Sequence, residues 1–538
     1  MVSGEQTGTT AGASGSTRLA GFGLPPLHVA LITLALATRL AFWAYTGATT
    51  EDAYISLRYA KNLAGGLGLV FNPGERVFGA STPAYVCLLA LLTRLGLPAL
   101  FIAKVLAVVA DGASLVLVLR RFQPDPAASL TGSAATVFAL LFALHPTLVQ
   151  VSTSGMETPF FLLSLMLALS ARTESGLGTT LGLACLIRPD GLLAAAVLLL
   201  WRWISSRVFP TRASLIAASM LLPWLVFATA SFGSPLPQSV PAKLAAYNIH
   251  RSGTLPNLRP VVSMLAPIDG PAGRQLAMIG FLPLLACGIL GSLRRSPDAA
   301  AYSPAVALFT AWFAYLGLTK TFLFQWYYPP LILTACLLAG RGWAGWPPHA
   351  RPGYALRAAT GVCFMFGSLL WIGWSAGNAR STQRAEWQVR AALGRWLRAN
   401  TPDTALVALE PLGYVGYFSA RRMIDTVGLV TPGMVEINRA GAGWFTRMIE
   451  RYRPDYVVER PVYLDRNAAI LSGVPYFGRP VERETFDRTY EPVREFKPGP
   501  LRETLRNDYY FRVYRRRSTP GPKVSGEPTP PAGTVRPR

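Results

Sequence analysis

Charge is scarce in this chain. Asp, Glu, Lys and Arg make up 15% of its 538 residues, well below the roughly 25% of soluble domains, which excludes an ordinary water-soluble protein. Histidine and cysteine are scarcer still. His28, His145, His250 and His349 have no ligand spacing with one another, which argues against a zinc site. Cys87, Cys185, Cys287, Cys336 and Cys363 stand singly in apolar segments and read as packing residues, not as disulfides or metal ligands. No Gly-x-Gly-x-x-Gly follows a strand-like run, so no nucleotide cofactor is expected. No internal repeat is evident, and the basic start and cleavage pattern of a secretory signal are missing, so the first apolar segment is expected to remain as an anchor.

Apolar sequence, by contrast, is abundant: 51% of residues are hydrophobic and the mean hydropathy is +0.32. It falls into runs near the length that crosses about 30 Å of hydrocarbon. The predicted architecture is an α-helical polytopic membrane protein with about eleven spans, near 27–46, 98–119, 131–150, 159–171, 177–188, 190–204, 213–230, 275–293, 303–319, 323–340 and 354–375. The stretch 82–97 is apolar but short and reads as a juxtamembrane or re-entrant helix. Arg188-Pro189-Asp190-Gly191 splits 177–204 into a hairpin, because Pro and two charges do not belong in a continuous lipid-facing helix.

The net charge of +23 does not point to nucleic acid, because its location follows topology. With Arg18 cytoplasmic, alternation places Arg120 and Arg121, Arg172, Arg202, Arg207 and Arg212, Arg294 and Arg295, and Arg341 and Arg351 on the cytoplasmic side. The 47–97 loop, the Gly155–Glu157 turn, the 231–273 loop and everything after about 376 then lie outside the cytoplasm. The domain reading is a disordered cytoplasmic N-terminus over 1–26, a transmembrane module over 27–376, an extracytoplasmic α/β domain over 377–515 with strand-like Ala405–Leu409 and Asp455–Val458, and a Pro-rich basic tail over 516–538.

The chemistry concentrates in the extracytoplasmic segments. Glu51 and Asp52 open the run EDAYISLRYAKNLAGGLGLVFNPGERVFGASTPAY. A carboxylate pair at a membrane surface marks a site, although Thr50-Glu51-Asp52 is also good helix-capping sequence. Glu157 lies in the turn STSGMETP, as a binding carboxylate or a helix-start residue. Arg188 and Asp190 form either a structural ion pair or part of a phosphate site. Arg58, Lys61 and Lys243 are each a phosphate contact or a side chain snorkelling to headgroups. Asn62, Asn72 and Arg76 are sugar contacts or turn formers, and Trp326 and Tyr327 are either rings that stack on sugar or prenyl chain or, as the favoured reading, an interfacial aromatic belt.

The run from Glu51 to Ala60 with Asn62, followed by Gly68-Leu69-Val70-Phe71-Asn72-Pro73-Gly74-Glu75-Arg76-Val77, resembles the first extracytoplasmic loop of GT-C membrane glycosyltransferases. It is most similar to the branch with the actinobacterial terminal arabinofuranosyltransferases. Gly155–Thr158, Arg188–Gly191, GSPLPQSVPAK over 233–243 and Met423–Leu429 agree with that family in order and spacing. The family often has two aspartates where this chain has Glu51 and Asp52, and an Asn near Gln238. The resemblance implies a bacterial plasma-membrane enzyme with a polyprenyl-phosphate sugar donor and a glycan or lipid acceptor in the cell envelope. Arabinofuranosyl or mannosyl transfer are both within its range. It implies Asp52 or Glu51 as general base, or the two together as ligands of a divalent cation (Mg, Mn or Ca), with Arg58, Glu157, Arg188, Asp190 and Lys243 binding substrate. A transporter or flippase is the other reading, and it would place its charges nearer the bilayer midplane.

Overall fold

The computed structural model describes residues 25–121, 133–247, 256–265, 270–294, 297–345, 351–468, 473–500 and 507–517. Residues 1–24 of the N-terminal segment, the tail beyond 517, His250 and His349 lie outside these.

Every predicted span is helical, as hydrocarbon demands of a backbone that must satisfy its own polar groups. In chain order the helices are α1 (Pro26–Thr46), α2 (Glu51–Ala64), α3 (Pro83–Arg94), α4 (Ala99–Arg121), α5 (Ala134–Leu144), α6 (Pro146–Ser152), α7 (Thr158–Ser170) and α8 (Glu174–Ile187). There follow α9 (Gly191–Ser206), α10 (Thr211–Phe232), α11 (Ser239–Ala246), α12 (Leu258–Leu265), α13 (Ala272–Ser292), α14 (Pro297–Leu318), α15 (Pro329–Ala344) and α16 (Arg351–Ala385). Among the described residues, six helices are long and apolar enough to cross a membrane, or seven if the bent pair α5 and α6 counts as one span. Helices α7, α8 and α9 are shorter apolar helices, so length alone does not yield the expected count of about eleven crossings. The 82–97 stretch is the 12-residue helix α3.

The 64° bend between α5 and α6 has an identifiable cause. Pro146 lacks the N–H that would bond the Phe142 carbonyl, and its ring disfavours continued helix. The freed carbonyls are met by Arg39 of α1, whose guanidinium donates to Phe142 O at 3.2 Å and Ala143 O at 3.4 Å. Arg39 also pairs with Asp111 of α4, which in turn accepts from Ser152 Oγ. Arg39 is fully buried and Asp111 nearly so. One ion pair therefore ties four helices together at the break.

Beyond the helical body stands a five-stranded mixed sheet of β1 (Leu406–Leu409), β2 (Arg422–Asp425), β3 (Tyr456–Glu459), β4 (Tyr490–Phe496) and β5 (Phe511–Arg516), in the order β2-β1-β3-β5-β4. The first three strands are parallel, and β5 runs antiparallel between β3 and β4. Helices α17 (Ala392–Asn400), α18 (Gly413–Ser419), α19 (Gly433–Arg439), α20 (Trp444–Tyr452), α21 (Pro461–Asp465) and α22 (Pro480–Thr489) cover it.

The two-residue period of a strand divides the sheet's side chains between two cores. Ala408, Ile424 and Val457 pack with Met434, Phe445 and Phe486. Val407, Leu409, Met423 and Val458 face the other way and share a core with Tyr54, Tyr59 and Tyr85 of α2 and α3. The first long loop is thus one wall of the sheet domain's own core. Helix α16 also runs without a break through the expected boundary at 376/377, into a π-helical turn over Glu386–Ala391 and then α17.

Candidate active site

A cavity of about 330 Å³ opens where the helical body meets the sheet domain. Its floor is one face of α2. Asp52, Ile55 and Ser56 lie three and four residues apart, so they share that face. Other walls come from the Gly79–Thr82 turn, from Met156 and Glu157, from Arg188–Asp190 between α8 and α9, from Lys243 of α11, from Trp326 and Tyr327, and from Leu429 of the sheet domain. Asp52, Glu157, Arg188, Asp190 and Lys243, which lie far apart in the chain, are therefore brought together.

Arg188 organises the acidic side. Its Nη1 donates to Glu157 Oε1 at 2.8 Å and its Nη2 to Asp190 Oδ2 at 2.6 Å. With two edges of the guanidinium occupied by carboxylates, Arg188 acts first as the clamp that holds them. Glu157 precedes α7 but makes no capping bond. Its Oε2 is buried with no hydrogen-bond partner among the described residues. The Asp52 carboxylate likewise receives no hydrogen bond among the described residues, although it heads α2.

Lys243 supplies the opposite charge. Its Nζ donates to Tyr327 Oη at 3.1 Å and lies 5.3 Å from the Phe324 ring centroid and 5.9 Å from that of Trp326. Burial works against its charge, but Tyr327 and Asp52 outweigh that and hold its pKa above the ordinary lysine value. Among the described residues Lys243 has no carboxylate at ion-pair distance, so this cation is open to an incoming anion.

Two expected site residues are placed elsewhere. Arg58 is buried and donates to three backbone carbonyls, Phe71 at 2.9 Å, Gly416 at 2.6 Å and Arg421 at 2.6 Å. It stitches the first loop to the sheet domain and does not line the cavity. Glu51 turns away from Asp52, as adjacent helical residues do, and its Oε1 accepts the N–H of Gly413 at the start of α18. Gly413 is needed there, because a Cβ would stand 2.1 Å from the Glu51 carbonyl oxygen. Burial first, then the charge of Asp52, pushes the Glu51 pKa well above its ordinary value, which favours the neutral acid. Glu51→Gln, which keeps an acceptor toward Gly413, is expected to retain transfer within a few-fold of wild type. A loss as large as that from replacing Asp52 would return Glu51 to the reacting centre.

Other polar residues of the first loop also serve the interface. Asn62 donates to the carbonyls of Val70 and Phe71, and Asn72 exchanges hydrogen bonds with the Met423 backbone at 2.9 and 3.0 Å. Gln238 donates to the Gly428 carbonyl at 3.3 Å. Asp425 accepts the N–H groups of Val427, Gly428, Leu429 and Val430, fixing the turn that brings Leu429 to the cavity. The parts played by the Gly79–Thr82 turn, by Leu429 and by Tyr315, Thr319, Thr321 and Leu323 escaped sequence reasoning. Only the proximity of GAST to the acidic run hinted at the first.

A body of many apolar helices, a small α/β domain on one end and an acid- and lysine-lined cavity at their junction define a multi-pass membrane protein with a cavity between its two parts. The fold is that of the GT-C membrane glycosyltransferases. The chain superposes on ArnT from Cupriavidus metallidurans, in a crystal structure with bound undecaprenyl phosphate, with a TM-score of 0.56 and 14% identity over 90% of this chain and 97% of that one. Archaeal oligosaccharyltransferase AglB from Archaeoglobus fulgidus, in complex with an inhibitory peptide and a dolichol-phosphate, gives a TM-score of 0.54 and 12% identity over 82% of this chain and 70% of that one. In sequence, the chain is 30% identical over 218 residues to a terminal beta-(1->2)-arabinofuranosyltransferase of Mycobacterium tuberculosis. That match covers 36% of this chain and 35% of the relative, about a third of its length. Residues 378–514 match a family described as a domain of unknown function, DUF8728.

Proposed function

We propose that the protein is a membrane glycosyltransferase that takes a sugar from a polyprenyl-phosphate donor and passes it to a hydroxyl of a cell-envelope glycan or lipid. The observation that carries this reading is the pairing of the Asp52 carboxylate and the Lys243 ammonium in one cavity between the helical body and the sheet domain; among the described residues the first receives no hydrogen bond and the second has no ion pair. Glycosyl transfer needs both. The acceptor oxygen forms a bond to the anomeric carbon as the bond from that carbon to the phosphate oxygen breaks. Asp52 takes the acceptor's proton, and Lys243 receives the departing polyprenyl phosphate. Arg188 holds Glu157 and Asp190 in place around the reacting sugar. Neutralised twice over, it is suited to positioning more than to phosphate capture.

The arabinofuranosyltransferase relative, and the polyprenyl phosphate named in the two structural neighbours, support this donor class. A divalent cation, expected on Glu51 and Asp52, fits Asp52 and Glu157 better. Glu51 is committed to Gly413, whereas the buried Oε2 of Glu157 has no partner among the described residues. No group of three or more metal-ligating side chains occurs among the described residues, but two carboxylates with donor phosphate oxygens make a sufficient shell for Mg²⁺. Such an ion would neutralise charge on the phosphate.

The donor assignment is tested at Lys243. Lys243→Met keeps much of the stem and removes the charge, so it is expected to raise the KM for the lipid donor by about tenfold or more, the worth of one charge-assisted hydrogen bond, with the acceptor KM little changed. An equal effect on both substrates would remove Lys243 from the phosphate. The site is proposed to face the exterior of a bacterial plasma membrane, because the arginine clusters then fall on the cytoplasmic side. Topology reporters fused at Arg121 and after Arg380 are expected to report opposite sides, and cytoplasmic signals from both would contradict that orientation.

A further inference from the structure

Helix α2 has a second face. Tyr54, Leu57 and Lys61, at helical spacing and opposite Asp52, Ile55 and Ser56, line another cavity of about 640 Å³ that shares no lining residue with the first. Its walls are aromatic, with Trp43 and Phe101 on one side and Trp387 and Phe418 on the other. Its mouth is apolar and open: Leu97 is 44% and Phe101 54% exposed.

The charges in this cavity are all of one sign. Among the described residues, Lys61 and Lys104 line it and no Asp or Glu does. Arg395 packs over Trp387 and Phe418, at 5.3 and 5.1 Å from their ring centroids. Lys104 is only 3% exposed. Its Nζ donates to the Ala48 carbonyl at 2.5 Å and to Thr49 Oγ1 at 2.8 Å, which among the described residues leaves the third N–H of the ammonium without an acceptor. Among the described residues it has no carboxylate partner. A buried cation without a counter-ion is costly, and an anion that enters the cavity offsets that cost.

We propose that this cavity binds an anionic phospholipid of the surrounding bilayer, with its phosphate on Lys61 and Lys104 and its chains leaving over Leu97 and Phe101. The occupant is not a reactant: α2 separates it from Asp52, and among the described residues no carboxylate lines the cavity to take a proton. A resident lipid suits the place. Lys104 holds Ala48 and Thr49, just ahead of Asp52, so a phosphate on Lys104 braces the start of α2 from behind.

The test is native mass spectrometry of the full-length protein released from nanodiscs of phosphatidylglycerol or phosphatidylcholine, with polyprenyl phosphate added as a competitor. Phosphatidylglycerol is expected to remain bound one to one, at least about tenfold tighter than phosphatidylcholine. Lys61→Gln, an exposed substitution that leaves the fold intact, and Trp387→Ala should each weaken it by about tenfold or more. Equal retention of both phospholipids, or undiminished retention by both variants, would overturn the proposal. So would stoichiometric displacement of phosphatidylglycerol by polyprenyl phosphate, which would make the cavity a donor-lipid site. Transfer activity is not part of the readout, so failure here leaves the glycosyltransferase reading standing.

Discussion

Asp52→Asn is expected to lower sugar transfer by about 10²- to 10⁴-fold, the usual worth of a positioned general base. The thermal stability of the purified protein should stay within a degree or two of wild type on this account. The substitution changes little volume, and the Asp52 carboxylate, in the first turn of α2, receives no hydrogen bond among the described residues, so no hydrogen-bond partner is lost. Steady-state rates with a defined lipid donor and acceptor, measured beside a melting curve, separate the two effects. Near-normal turnover would make Asp52 a first-turn acid of α2 and shift attention to Glu157. A lower melting temperature of similar severity would mark it as structural.

The largest stability effect is expected away from the site, at Arg39. Arg39→Met leaves Asp111 buried without its cation and leaves the Phe142 and Ala143 carbonyls, freed by Pro146, without their donor. Breaking a buried pair by removing one partner costs about 3–5 kcal/mol, and orphaned carbonyls add to that. A large fall in the denaturation midpoint in detergent is therefore expected. Arg39→Met combined with Asp111→Leu should recover part of it, since the unpaired charge is gone while the carbonyls remain unmet. A double variant no more stable than the single one would show that the carbonyls, not the ion pair, dominate. An unchanged midpoint in the single variant would remove the pair from the account of the bend.

The sequence reading followed the helices closely because hydrocarbon leaves the backbone few options, and most apolar runs are helical over most of their expected length. It did less well with crossings, because Pro146 breaks one run and α7, α8 and α9 are short. The separation of Glu51 from Asp52 was legible in kind, since neighbours on a helix point apart, but its destination was not. The partner of Glu51 is Gly413, and those of Arg58 include Gly416 and Arg421, more than three hundred residues downstream. Local pattern carries no trace of such contacts. Trp326 and Tyr327 have the composition of an interfacial belt, and only the packing of α11 against them turns them toward Lys243. The union of loop and sheet domain in one core was hidden for a similar reason: the unbroken apolar run of β1 shows that it has two buried faces, but not what covers each.

The cavity at Asp52 and Lys243 is proposed to take a sugar from a lipid phosphate. Wild-type protein reconstituted in liposomes, supplied with an acceptor glycan and offered either a radiolabelled polyprenyl-phosphate sugar or the corresponding nucleotide sugar, tests it most directly. Label should pass to the acceptor only from the lipid-linked donor, with free polyprenyl phosphate released in equal amount. Efficient transfer from the nucleotide sugar in liposomes without polyprenyl lipid would contradict both the donor and the role given to the site.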